Sequence, residues 1–182
     1  MRAVVVYESM YGNTHLVAQA IGDGLGASAQ VAVVPVAEAA ATLADGADLL
    51  VVGGPTHVHG MSRPRTRTAA ADAAKKPESG LTVEPEAEAP GVRELLESLG
   101  TLDMRAAAFD TRIDAPAALT GRASKKIART LRQHRCTLVA DPESFLVTKD
   151  SHLEPDEAAR ARQWGADLAA RLASRVPSRE GQ

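Results

Sequence analysis

The chain has 182 residues, 45% hydrophobic and 24% charged, which is the length and make-up of one globular domain with a real core. Its formal net charge of −2 excludes a general pull toward nucleic acid or an anionic membrane, so a charged partner must be met by a local patch. A single cysteine excludes an intrachain disulfide framework, no run approaches ~18 apolar residues, and "MRAVVVY" is too short for a signal-peptide core, so a cytoplasmic protein without a membrane span is expected.

The first strand is "RAVVVY" (2–7), followed by the turn "ESMYGNT" and a helix carrying Leu16, Val17, Ala20, Ile21 and Leu25 at steps of three and four. Gly22, Gly24 and Gly26 are expected to fray and stop that helix. "QVAVVPV" (30–36) and "ADLLVVGG" (47–54) read as the second and third strands. The stretch 63–91 then passes from basic to acidic, with a helical start and a flexible insertion at about 77–90 before the helix "VRELLESLG". "MRAAAFD" (104–110) is the fourth strand, and a helix with Ala123, Ile127, Ala128 and Leu131 on one side follows. "CTLVA" (136–140), with "SFLVT" (144–148) just beyond, completes the strands. After Pro155 a last helix aligns Ala159, Trp164, Leu168 and Leu172, so Trp164 reads as packing. One domain over residues 1–176 is expected, with 177–182 as a frayed tail.

The strands are nearly continuous in apolar residues, which is the pattern of strands covered on both faces. Five β-α units of this kind make an α/β fold: a doubly wound parallel sheet of five strands, order 2-1-3-4-5, with helices on both faces. In such a sheet ligands bind beyond the carboxyl ends of strands one and three, where the order reverses.

Two loops meet there. A strand-to-helix turn exposes N–H groups that lack acceptors, and the helix dipole adds positive charge, so a tight turn with hydroxyls can hold a phosphate. "SMYGNT" offers Ser9 and Thr14 hydroxyls, Gly12 for close approach and Asn13 to cap the helix, and an ordinary capped turn would use the same residues. The lysine and spacing of a nucleotide-triphosphate loop are missing. The second loop, "GGPTHVHGM" (53–61), holds His57 and His59 without the acidic or thiol companions of a metal site.

"VVYESMYGNTHLVAQAI" resembles the flavodoxin signature, and "GGPTHVHG" is similar to that family's Gly-x-Pro-Thr-Trp-x-x-Gly loop, while "FDTR" (109–112) lies where its third flavin-contacting loop begins. The resemblance implies a flavodoxin-like fold with bound FMN. It puts the phosphate on Ser9, Met10, Tyr11, Gly12, Asn13 and Thr14. The ring would lie between Pro55, Thr56, His57, Val58, His59 and Gly60 on one side and Phe109, Asp110, Thr111 and Arg112 on the other. It also implies a Val58–His59 peptide that reorients when the ring is reduced. The chain departs from the family at Tyr11, where a third hydroxyl residue is usual, and at His57, where the stacking Trp stands. Its third loop has no tyrosine, leaving His57 to stack and Phe109 to pack nearby.

The implied function is electron transfer to or from a redox partner protein. The alternatives are an NAD(P)H-dependent quinone reductase or menaquinone-linked dehydrogenase of the same fold, and a flavin-binding or regulatory module without turnover. Arg63, Arg65 and Arg67 read either as a solvated helix entry or as positive charge at the pocket rim. There, within a Debye length of about 8–10 Å, they would ease formation of reduced, anionic FMN or receive an NADPH 2′-phosphate or an acidic partner. Lys125, Lys126, Arg129 and Arg132 read as a soluble helix face, and Cys136 as a small buried hydrophobe.

Overall fold

A computed structural model describes residues 1–174, and the expected tail at 177–182 lies outside them. The strands are β1 (Arg2–Tyr7), β2 (Gln30–Pro35), β3 (Leu49–Pro55), β4 (Arg105–Ile113), β5 (Thr137–Leu138) and β6 (Glu143–Val147). The helices are α1 (Asn13–Gly26), α2 (Val36–Ala44), α3 (Pro64–Ala74), α4 (Val92–Ser98), α5 (Ala117–Thr120), α6 (Ala123–Gln133) and α7 (Glu157–Ala173). All strand pairings are parallel, in the order β2-β1-β3-β4-β5. The fifth position is split. β5 pairs with the start of β4 (Arg105↔Thr137) and β6 with its end (Phe109↔Glu143 to Ile113↔Val147). Pro142 sits between them and has no N–H to give a ladder, and the two expected segments, 136–140 and 144–148, share the one position as separate short strands.

Side chains alternate across the sheet into two cores. Ala3, Val5, Leu49 and Val51 face α1 and α7, whereas Val4, Val6, Leu50 and Val52 face the layer that includes α4 and α6. The glycines of α1 act differently from expectation. The helix runs unbroken to Gly26, and only that residue ends it. A Cβ at Gly24 would collide with the Arg162 carbonyl of α7, and one at Gly165 with the Ile21 carbonyl of α1. Both glycines let the two helix backbones approach. Two apolar assignments also shift by position: Leu16 and Ala159 are exposed, and the buried stripe of α7 is Ala161, Gly165, Leu168, Ala169 and Leu172. Trp164 packs edge-on to Phe109 and Phe145.

The 63–91 stretch begins with α3 and has no helix or strand between 75 and 91. It is nonetheless anchored, because the Glu84 N–H donates to the Met10 carbonyl (2.9 Å) and Ala87 is buried with Met10 and Ala70. The segment thereby lies against the turn that follows β1.

Candidate functional site

The turn after β1 is closed by its own atoms. The Gly12 N–H donates to Ser9 Oγ (3.1 Å), and Gly12 adopts φ +89°, a left-handed conformation that glycine reaches without strain. α1 then starts with the Leu16 N–H donating to the Gly12 carbonyl (2.9 Å). Asn13 does not cap the helix. Its Nδ2 donates instead to the Ser151 carbonyl (2.7 Å), and no side chain caps α1. Among the described residues, no protein acceptor meets the N–H groups of Asn13, Thr14 and His15. These amides are the orphan donors of a helix start, and the dipole reinforces them.

Asn13 and Thr14 border a crevice of about 220 Å³ at the carboxyl ends of β1 and β3. Ser9, Met10, Tyr11, Asn13 and Thr14 line one part, Pro55, Thr56 and His57 a second, and Thr111 and Arg112 a third. Ile113, Val147 and Ser151 complete the wall, and no local sequence signature marked them, because only the folded β4–β6 pairing brings them there. No carboxylate lines the crevice, although Glu84 stands just outside it against the Gly12 turn. Outside it, Glu84 reaches toward Gly12 and pairs with His15 (Oε1 to Nδ1, 3.2 Å), whose ring stacks on Tyr7. Burial, then Glu84, Glu86 and Glu38, raise the Tyr7 phenol pKa above its ordinary value.

The second loop is a tight reversal. The His57 N–H donates to the Gly60 carbonyl (2.7 Å) and the Gly60 N–H to the His57 carbonyl (3.0 Å), with Val58 (φ +44°) and His59 (φ +68°) both left-handed. A β-branched residue rarely adopts that conformation, and Val58 is 81% exposed at the tip. His57 is half-buried, and desolvation, then the Arg67 charge, lowers its pKa.

The third expected contact segment is corrected by strand alternation. All of 109–112 belongs to β4 rather than a loop. Phe109 is fully buried on the α7 face against Phe145 and Trp164, away from the crevice. Asp110, also fully buried, points to the opposite face, where Oδ2 accepts from the Ser124 N–H of α6 (2.8 Å) and from Thr56 Oγ1 (3.0 Å). Thr56 Oγ1 in turn accepts from the Ala123 N–H (2.8 Å). Asp110 therefore positions the 56–60 loop without touching the crevice. Thr111 shares a 2.7 Å hydroxyl contact with Thr14, and Arg112 Nη1 donates to the Ala115 carbonyl (2.6 Å).

Arg67 is a further correction. The three arginines start α3, so they do not share a face. Arg63 and Arg65 are exposed, but Arg67 is 2% exposed beside Ala70 and Ala71. Its Nη1 donates to Ser62 Oγ (3.0 Å) and Glu94 Oε2 (3.1 Å). Next to it, Glu8 Oε2 accepts from the Val92 N–H (2.8 Å), and burial raises that carboxyl's pKa. This polar knot under the two loops had no signal in the sequence, since "ES" after a strand looks like any turn.

The family profile described as flavodoxin matches residues 5–99, more than half of the chain. The chain belongs to the flavodoxin family. That family's cofactor is FMN. The fold is also that of solved flavodoxins. An archaeal flavodoxin has 22% identity and a TM-score of 0.64, covering 95% of this chain and 99% of that one. Oxidised flavodoxin 1 of Bacillus cereus has 16% identity and a TM-score of 0.63, covering 93% and 98%. A flavodoxin, WrbA-like protein of Agrobacterium tumefaciens has 18% identity and a TM-score of 0.60, covering 95% and 98%. A search of curated proteins returned no significant match. Among the described residues, no helix is long and apolar enough to cross a membrane, and no group of three or more His, Cys, Asp or Glu side chains could hold a metal ion.

Proposed function

We propose that this flavodoxin-family chain carries FMN noncovalently and passes electrons to or from a partner protein in the cytoplasm. The observation that carries the reading is the start of α1: unclaimed amides of Asn13, Thr14 and His15 beside an acid-free crevice at the sheet's switch point. A phosphate monoester fits that donor set, since it accepts several N–H bonds and needs no lysine. When bound, FMN supplies the redox chemistry. The chain's residues do the rest. Gly12 gives the turn the left-handed backbone it needs, Asp110 fixes the 56–60 loop, and His57 lines the crevice, while Val58 and Gly60 line the groove on the other side of that loop. His57 is the aromatic side chain of the 55–60 loop that lines the crevice, with Tyr11 in the turn after β1.

A second reading, an NAD(P)H-dependent reductase, is favoured by Arg63 and Arg65 close to the loop, which form no ion pair among the described residues. Anaerobic spectroscopy separates the readings. The protein is mixed with FMN, freed of excess by gel filtration and then given NADPH. A yellow protein whose visible band persists supports the electron carrier, and rapid bleaching without a partner supports the reductase. A colourless protein that takes up no FMN, confirmed by calorimetry, overturns both and leaves a binding module.

A further inference from the structure

A shallow groove of about 280 Å³ opens on the far side of the 57–60 turn from the phosphate cradle. Arg63, Arg65, Arg93 and Lys126 line it, and no carboxylate does. Lys126 reaches from α6 across the turn, so that a Cβ at Gly60 would lie 2.5 Å from its ammonium. Arg93 is fixed in place by its Nε and Nη2 donating to the Ser62 and Met61 carbonyls (both 3.1 Å). Arg63, Arg65 and Lys126 are exposed and, among the described residues, none pairs with an acid. Arg129, one turn on along α6, extends the patch. At its edge stands Val58, the most exposed large hydrophobic side chain among the described residues. In a chain of net charge −2, this concentration of one sign is local.

We infer that this groove and the Val58 tip form the docking face for an acidic protein partner, which places the partner's redox centre at the edge of the crevice. The inference rests on the electron-carrier reading and adds the partner's charge and the face it meets. An apolar point ringed by unpaired charge is how a transient interface is built: the charge steers and orients the encounter, and the apolar tip makes close contact. Charge complementarity selects an acidic surface. A nucleotide fits less well, because the groove offers its base no aromatic partner other than the half-buried His57.

Nuclear magnetic resonance on the full-length protein tests this, with and without FMN. The paramagnetic trianion hexacyanochromate(III) is expected to broaden the amides of Gly60, Arg63 and Lys126 selectively at low salt, and a 20-residue poly-glutamate peptide to shift the same signals. Both effects should fall roughly tenfold as salt is raised through the range that screens such charges. The Arg63→Glu/Lys126→Glu variant, its fold checked by its amide spectrum, should lose them. Broadening spread evenly over the surface overturns the inference. So does binding of 2′,5′-ADP at this groove while poly-glutamate leaves it untouched, which would make it a nucleotide site. FMN uptake is measured separately by calorimetry. Failure there removes the electron-carrier reading, whereas normal uptake with a silent groove removes only the docking face.

Discussion

At the scale of single residues, Gly12 shapes the turn beside the crevice and His57 stands in its wall. Gly12 is left-handed at the centre of the phosphate turn. Alanine there costs about 1 kcal/mol of local strain, while its Cβ would meet only Glu84 Oε1 at 3.6 Å outside the crevice, so Gly12→Ala is expected to lower stability by about 1 kcal/mol, measured by denaturant unfolding. His57 gives a pH signature. Burial, then Arg67, holds its folded-state pKa below the ordinary 6.5. As pH falls through 6.5 the unfolded chain takes up that proton first, so stability declines until the native ring is also protonated. Above 6.5 both states are neutral and the residue adds no pH dependence. Thermal melts from pH 8 to pH 5 should therefore show a loss below 6.5 that is smaller in His57→Gln; identical profiles would contradict this.

Elements make the site as much as residues do. Asp110 ties the start of α6 to Thr56, joining the helix, β4 and the loop that walls the crevice. Removing its carboxylate strands a buried N–H and frees the loop. Asp110→Ala is expected to cost roughly 2–3 kcal/mol in denaturant unfolding and to weaken FMN binding as well. The α1–α7 contact is the second such joint. A methyl at Gly24 must push the helices apart, so Gly24→Ala should destabilise by roughly 1–3 kcal/mol, although glycine to alanine ordinarily favours a helix; a stabilised variant would refute the packing role. This contact also shows what the sequence could convey. Strand positions and order were readable because four consecutive apolar residues, as in Ala3–Val6, have no other comfortable home. The role of Gly24 was not, because a glycine that ends a helix and one that admits a neighbour look alike until the neighbour is placed. The same limit applied to 109–112. β4 runs three residues past the expected strand end at Asp110, to Ile113, because β6 pairs with its end, and in that continuous strand the alternation buries Phe109 and Asp110. The turn after β1 was legible as a tight strand-to-helix turn, since Ser9 and Gly12 announce its backbone geometry locally.

Across the whole molecule, binding and folding are linked. A ligand that engages the start of α1 and the β3 and β4 loops holds together elements distant in sequence, and the unfolded chain offers no such site. At FMN concentrations 100-fold above the dissociation constant the gain is about 2.7 kcal/mol, which for a domain of this size raises the melting temperature by roughly 5–10 °C. Calorimetric or fluorescence melts with added FMN check this, riboflavin serving as the control without a phosphate; equal shifts from both would deny the cradle its part. Charge is also arranged at this scale. Glu84 and Glu86 lie on the Tyr7 side of the crevice, and Arg63, Arg65 and Lys126 on the turn side.

The broken fifth position of the sheet has a consequence for the protein's life in a crowded solution. An open sheet has two outer borders, and each invites a foreign chain to extend the ladder. Here Pro35 closes β2 on one border, and Pro142 interrupts the β5–β6 line on the other. Neither border presents a long uninterrupted row of donors, and along β6 the outer edge is already covered, with the Glu154 N–H donating to the Leu146 carbonyl (3.0 Å) and the Leu146 N–H to Glu157 Oε2 of α7 (2.7 Å), so stray segments find little to zip onto.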